Sequence, residues 1–196
     1  MSDDKKIIFS MYKVSKSYSQ QKQVIKDISL SFFLGAKIGI IGLNGSGKST
    51  LLRLAAAILQ ADCGDVIIGQ NISVGYLSQD TDGLDTHLTA LENLERTEAH
   101  TTDIYREARS LGLKSDELKK KPSELSRGQQ TKLSFAKLLL ARHDLLILDE
   151  PTNHLDIPTR ESIERALQNY QGAVLLASHD EYFAQSVGIT KEIELR

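Results

Sequence analysis

The chain has 196 residues and a formal net charge of −2, with 40% hydrophobic and 26% charged residues. That length and balance fit one globular domain with a sizeable apolar core. The charge gives no support to direct nucleic-acid binding through a broad basic surface, and no apolar run approaches the roughly 20 residues of a membrane span.

The opening Met1-Ser2-Asp3-Asp4-Lys5-Lys6 is polar and lacks the apolar stretch of a secretory signal. Cys63 is the only cysteine, so no internal disulfide forms, and a half-buried, inert position is expected for it. These features lead to the expectation of a cytoplasmic protein without an integral membrane segment.

Short apolar runs alternate with helical patterns along the chain, the rhythm of an α/β fold. Strands are expected over residues 7–12 and 28–33, and at Lys37–Ile41, which runs into a glycine-rich turn. A helix is predicted over 49–59, followed by strands over 65–68 and at Val74–Leu77. From about 82 to 121 the β-like runs stop. Leu88, Leu91, Leu94, Ile104 and Leu111 then sit among charges at helical spacing, and Lys119-Lys120-Lys121 reads as a solvated helix end. Buried strands are expected over 145–148 and at Ala173–Ala177. Between them Ile163, Ala166, Leu167 and Tyr170 lay one apolar helical face against a sheet. Asp156 can cap that helix, with Pro158 in its first turn.

Gly42-Leu43-Asn44-Gly45-Ser46-Gly47-Lys48-Ser49 fits G-x-x-x-x-G-K-[ST], between an expected strand and an expected helix. Glycines at 42, 45 and 47 let the backbone curl so that several N–H groups point into one hollow. The helix that follows, through Thr50, adds the positive end of its dipole. Lys48 can reach β- and γ-phosphates, and the Ser49 hydroxyl can ligate Mg²⁺.

The apolar run Leu145-Leu146-Ile147-Leu148 ends in Asp149-Glu150. A buried parallel strand delivers its last residues to the carboxyl edge of the sheet, where ligands bind in such folds. Asp149 is expected to hold the magnesium and Glu150 to polarise an attacking water as general base. His179, after the third buried strand, can donate a hydrogen bond to a γ-phosphate. His87, His100 and His143 have no such context and read as surface residues. No cluster of His, Cys and carboxylates has metal-ligand spacing, so nucleotide-borne Mg²⁺ is the only metal expected.

Leu125-Ser126-Arg127-Gly128-Gln129-Gln130 resembles the signature motif of ABC ATPases, with Arg127 where a glycine is commonest. It opens an apolar helix over 133–140. Motif order and spacing are similar to that family over essentially the whole chain. The resemblance implies a P-loop NTPase core of ABC type, α/β, with an N-terminal antiparallel β subdomain. A helical subdomain is inserted at roughly 82–135, all within a single domain over 1–196. It places Gln79 at the Q-loop as a γ-phosphate and metal contact, Tyr18 on adenine and His179 at the switch histidine. Ser46 and Thr50 fall in the phosphate loop, and Asp156 in the D-loop that couples the two halves of a dimer. Ser126, Arg127, Gly128 and Gln129 would serve the nucleotide of a second copy in trans.

The run from Leu148 to Asp156, with His154 where most transporter ATPases differ, is similar to the ABC-F subfamily. Residues 29–52 look like a first ABC-F half, and 125–183 more like a second. Many members of that subfamily act on ribosomes as translation or antibiotic-resistance factors. ATP and Mg²⁺ are the implied cofactors. A homodimer or a second ABC half, and the ribosome, are the implied partners. The chain departs from the pattern in carrying one ATPase unit, without the inter-domain linker and without an arm insertion between 79 and 125. An excised half, a single-domain protein and a chimera all fit this. Ala57 stands where the helix after the phosphate loop often has glycine. An ATPase subunit of a membrane transporter and a non-hydrolysing ATP-dependent clamp remain as alternative readings.

Overall fold

Two sheets carry the fold. A computed structural model describes residues 7–19, 22–78, 83–153 and 155–195; Gln79 and His154 lie outside the described residues. In the first sheet β1 (Ile7–Ser19) runs antiparallel to both β2 (Lys22–Phe33) and β4 (Cys63–Ile68), in the order β2-β1-β4. The second sheet is parallel. It contains β3 (Lys37–Ile41), β5 (Val74–Leu77), β6 (Leu145–Asp149), β7 (Ala173–Ala177) and β8 (Lys191–Glu194), in the order β5-β6-β7-β3-β8.

The β1–β2 ladder extends well past the apolar runs that announce it in the sequence. Its continuation is polar and irregular, with register shifts and with Lys13 and Asp27 at positive φ. The Ser15 hydroxyl accepts a hydrogen bond from the Asp27 amide at 2.9 Å. Val14 and Ile25 are fully buried there, but polar neighbours and the register shifts break the alternation, so hydrophobic patterning does not reveal it.

β6 and β7 are buried along their whole length because both faces of the parallel sheet are covered. The period-2 alternation of side chains sorts them between two cores. Leu145, Ile147, Ala173, Leu175 and Ala177 join Leu51, Leu52 and Leu54 of α1 (Lys48–Ala55) and the inner face of the antiparallel sheet. There Phe9 and Phe32 meet edge to face at 5.2 Å. Leu146, Leu148, Val174 and Leu176 pack on the opposite face with Phe135, Ile163 and Phe183 from the helices.

Between β5 and β6 lie α2 (Ala90–Glu95), α3 (Thr101–Ser110) and α4 (Arg127–Ala141). Capping boxes start two of them, Thr89 with Glu92 for α2 and Ser126 with Gln129 for α4. After β6, Asp156 caps α5 (Ile157–Gln168) and Asp180 caps α6 (Glu181–Val187). The Lys37 ammonium donates to the Gln168 carbonyl at 2.8 Å and the Val187 carbonyl at 3.2 Å. One cation thereby serves the negative ends of two helix dipoles.

Three expectations are corrected. Cys63 is exposed rather than half-buried. His143 is half-buried, not on the surface: its ring packs on the space a side chain at Gly75 would fill, and burial pushes its imidazole below the ordinary value. The helix after the phosphate loop stops at Ala55 instead of reaching residue 59, because Ala57 adopts a left-handed φ of 56°.

That conformation suits glycine and costs an L-residue roughly 1–2 kcal/mol. Ala57 is exposed, so its methyl group contributes no core packing in return. Ala57→Gly is expected to stabilise the fold by about 1 kcal/mol after the extra freedom of the unfolded glycine is subtracted. Thermal unfolding should show a rise of roughly 2–4 °C; an unchanged or lower midpoint contradicts the strain at this turn.

Candidate functional site

The carboxyl ends of β3, β7 and β6 open into one cleft of about 770 Å³. Tyr18, Gly42, Asn44, Gly45, Gly47, Lys48, Ser49, Thr50, Glu150 and His179, all singled out from the sequence, line it together with Val24, Leu43 and Asn153. Val24 has no sequence signal. Asn153 lies in the run after the acid pair, and nothing in its spacing marks it as a cleft residue.

Close approach requires glycine at 42 and 47, while Gly45 has open space around it and is favoured by its φ of 83°. A side chain at Gly42 would bring its first carbon to 2.7 Å from the Leu195 carbonyl. Gly47 has a φ of 99° and caps α1, and a carbon there would meet Val24 at 2.7 Å. Gly47, Lys48, Ser49 and Thr50 line the cleft, and the N-terminus of α1 has no side-chain cap, which leaves its amides available to a ligand.

Lys48 is 7% exposed, and its ammonium donates to the loop's own carbonyls, Gly42 at 2.7 Å and Leu43 at 3.3 Å. It stands 4.0 Å from Glu150 Oε1. Tyr18 is 57% exposed, and its hydroxyl meets the Thr50 hydroxyl at 3.3 Å.

Glu150 follows the end of β6 in the left-handed region, φ 49°. Such a conformation costs about 1–3 kcal/mol and persists only where neighbours over-determine it. Here the Glu150 amide is tied to the Ala177 carbonyl at 2.9 Å, and the carboxylate is 2.7 Å from His179 Nδ1. The His179 amide donates to the same carboxylate oxygen at 3.3 Å.

Asp149 is 2% exposed. Burial pushes its carboxyl above the ordinary range, and the Glu150 charge adds to this, while a hydrogen bond from Ser49 works against it. Its Oδ1 is buried without a partner, as is the Ser46 hydroxyl. A buried carboxylate oxygen beside a serine hydroxyl is a donor set that fits a hard divalent cation.

Ser126, Arg127, Gly128 and Gln129 do not line this cleft. Ser126 and Arg127 are exposed. The Ser126 hydroxyl accepts from the Gln129 amide at 3.3 Å, and the Gln129 side chain donates to Glu117 at 2.7 Å, which fixes the turn. Asp156 accepts from the Thr159 amide at 2.8 Å and pairs with Lys132 of α4 at 3.0 Å. A hydrogen bond from the Thr159 hydroxyl, with those from Lys132 and the Thr159 amide, lowers its carboxyl to about 2. A depressed carboxylate contributes in full above the ordinary carboxylate range and fades as the pH falls toward 2.

A glycine-rich strand-to-helix loop with a buried lysine, level with an acid pair, defines a P-loop nucleotide-binding α/β domain. The family model described as ABC transporter matches residues 25–153. The chain belongs to that family and is an ATP-binding domain of the ABC type.

It is 40% identical to ABC transporter F family member 5 of Arabidopsis thaliana, over 90% of this chain and 26% of that protein. It is 39% identical to the ATP-binding protein Uup of Escherichia coli, over 92% of this chain and 29% of that protein. It is 33% identical to the energy-dependent translational throttle protein EttA of Haemophilus influenzae, over 92% of this chain and 40% of that protein. The chain thus spans well under half the length of these curated relatives. Its fold is shared with a dimeric ATP-binding cassette bound to ADP and phosphate (TM-score 0.80, 24% identity, 96% of this chain and 94% of that one).

Two substitutions test the cleft. Lys48→Ala should abolish measurable binding of a fluorescent ATP analogue, and normal affinity in that variant contradicts the phosphate cradle. Tyr18→Ala should weaken binding by roughly 1 kcal/mol if the ring stacks on the base; unchanged affinity rejects stacking.

Proposed function

We propose that the chain is an ATP-hydrolysing half of a head-to-tail ABC dimer, of ABC-F type, acting with Mg²⁺. The observation that carries this reading is the convergence of Lys48, Glu150 and His179 on one cleft, while Ser126–Gln129 lie outside it. A second copy, or another ABC half, would supply its own Ser126, Arg127, Gly128 and Gln129 to close that cleft. The signature turn sits at the N-terminus of a 15-residue helix, so its amides and dipole suit a γ-phosphate.

The loop amides and Lys48 bind the phosphates, with Lys48 exchanging its two carbonyl partners for phosphate oxygens. Ser49 and Asp149 would hold the metal, with Gln79 as a further ligand from outside the described residues. Magnesium held by these residues would supply positive charge against the phosphates. Glu150 takes the proton of an attacking water, and its strained backbone and contact with His179 aim the carboxylate. His179 then stands where a hydrogen bond to the γ-phosphate can follow the moving charge. Asp156, at the start of α5, would transmit closure between the two copies.

The likeness to the translational throttle protein and other F-family members supports a translation-linked role in the cytoplasm, with the ribosome as the larger partner. Among the described residues no helix is long and apolar enough to cross a membrane.

Glu150→Gln should retain ATP binding but hydrolyse it at least about 100-fold more slowly, the scale of losing a general base. It should accumulate as an ATP-bound dimer and co-sediment with ribosomes. Wild-type phosphate release in that variant refutes Glu150 as the base. A strictly monomeric, ATP-saturated variant refutes the sandwich.

A further inference from the structure

The His179 imidazole is 65% exposed, so packing alone does not hold it. Its place over Glu150 depends on the backbone that carries it, and the next residue is strongly anchored. Asp180 Oδ2 lies 2.6 Å from Nη1 of Arg160, a residue of α5 that lines no part of the cleft. The other oxygen of Asp180 accepts the Phe183 amide at 2.9 Å, and its own amide donates to the Ser178 hydroxyl at 3.1 Å.

Arg160 is itself fixed from several directions. Its Nε meets Glu164 Oε1 at 3.1 Å, and Glu164 is 8% exposed. Its guanidinium lies 5.6 Å from the Tyr182 ring and 5.9 Å from the Phe183 ring. A planar group with two committed nitrogen donors and aromatic neighbours has little freedom to follow a drifting loop.

We propose that Arg160 is the positioning residue for His179: by clamping Asp180 to α5 it holds the imidazole against Glu150. This rests on the ATPase reading of the cleft. It extends that reading to α5, whose N-cap Asp156 is paired with Lys132 of the signature helix. One helix thus links the turn proposed to serve a second copy with the histidine of its own cleft.

The test compares Arg160→Ala, Arg160→Lys, Asp180→Asn and the Arg160→Ala/Asp180→Asn pair. Asparagine at 180 keeps the oxygen that caps α6. Turnover is normalised to ATP-binding sites, and the His179 ring nitrogens are followed by NMR. Arg160→Ala should lower kcat at least about 10-fold with little change in KM for ATP, as expected when a reacting group is displaced by an ångström or less. The lysine variant should recover most of the loss, and the pair should be no worse than Arg160→Ala alone. The wild-type ring should show Nδ1 protonated and held on the Glu150 carboxylate, whether or not Nε2 also carries a proton, and the alanine variant an averaged Nδ1.

Unchanged kcat per site, additive losses or an unchanged His179 spectrum overturns the proposal. If wild-type turnover does not exceed that of Glu150→Gln, the hydrolytic reading fails instead. The ring spectrum then decides whether Arg160 anchors His179.

Discussion

Ala177 of β7 pairs with Ile40 of β3 on one side and with Asp149 of β6 on the other. Everything at the cleft depends on that shared register. It brings the glycine-rich loop, the acid pair and His179 out of the sheet at one level, from three neighbouring strands. A strand advances about 3.3 Å per residue, so a slip of two residues would carry the Glu150 carboxylate out of reach of both His179 and Lys48. The ladder bond from the Glu150 amide to the Ala177 carbonyl continues the alignment past the end of β6 and into the left-handed turn. The apolar runs of β6 and β7 are thus more than core: a slip that drew Asp149 and Glu150 back between the two covered faces would bury further charge.

The charges inside the cleft are arranged around partners that can be exchanged. Lys48 is buried and held by two carbonyls, contacts that satisfy an ammonium without neutralising it. Glu150 stands at the edge of ion-pair distance from it and makes its short contact to His179 instead. Asp149 bears the cost of burial, with one oxygen on Ser49 and the other without a partner. A buried anion of this kind favours a cation strongly, because the desolvation cost has already been met by the fold. The salt bridges of the surface are of another kind. Arg96–Asp85 and Arg106–Asp103 are largely exposed on the arginine side and contribute little.

How much of this was legible in the sequence depends on how local each signal is. The loop from Gly42 to Ser49 and the pair Asp149-Glu150 are contiguous in the chain, and their chemistry requires those residue types side by side. The strands delivering them are announced by apolar runs, and β3, β5 and β7 match their expected limits. The extension of β1 and β2 carries no such mark, because its buried residues, Val14 and Ile25, stand singly among polar ones and its bulges break the period of two. Ala57 stands where glycine is common, but its left-handed turn shows only in the backbone that ends α1. His143 looks like an ordinary surface histidine until Gly75, 68 positions away, is seen to make room for its ring. Arg160 and Asp180 are 20 residues apart in separate elements, and only the packing of α5 beside α6 brings them together.

The claim on which the rest stands is that a triphosphate seats on this loop and is closed over by another copy's signature turn. A crystal structure of the slow Glu150→Gln variant with Mg²⁺ and ATP addresses both halves at once. The phosphates should lie on the amides from Gly45 to Thr50 within hydrogen-bond reach of Lys48, with Ser126 of a second chain at the γ-phosphate. Phosphates bound elsewhere, or a γ-phosphate open to solvent in a monomer, would contradict it.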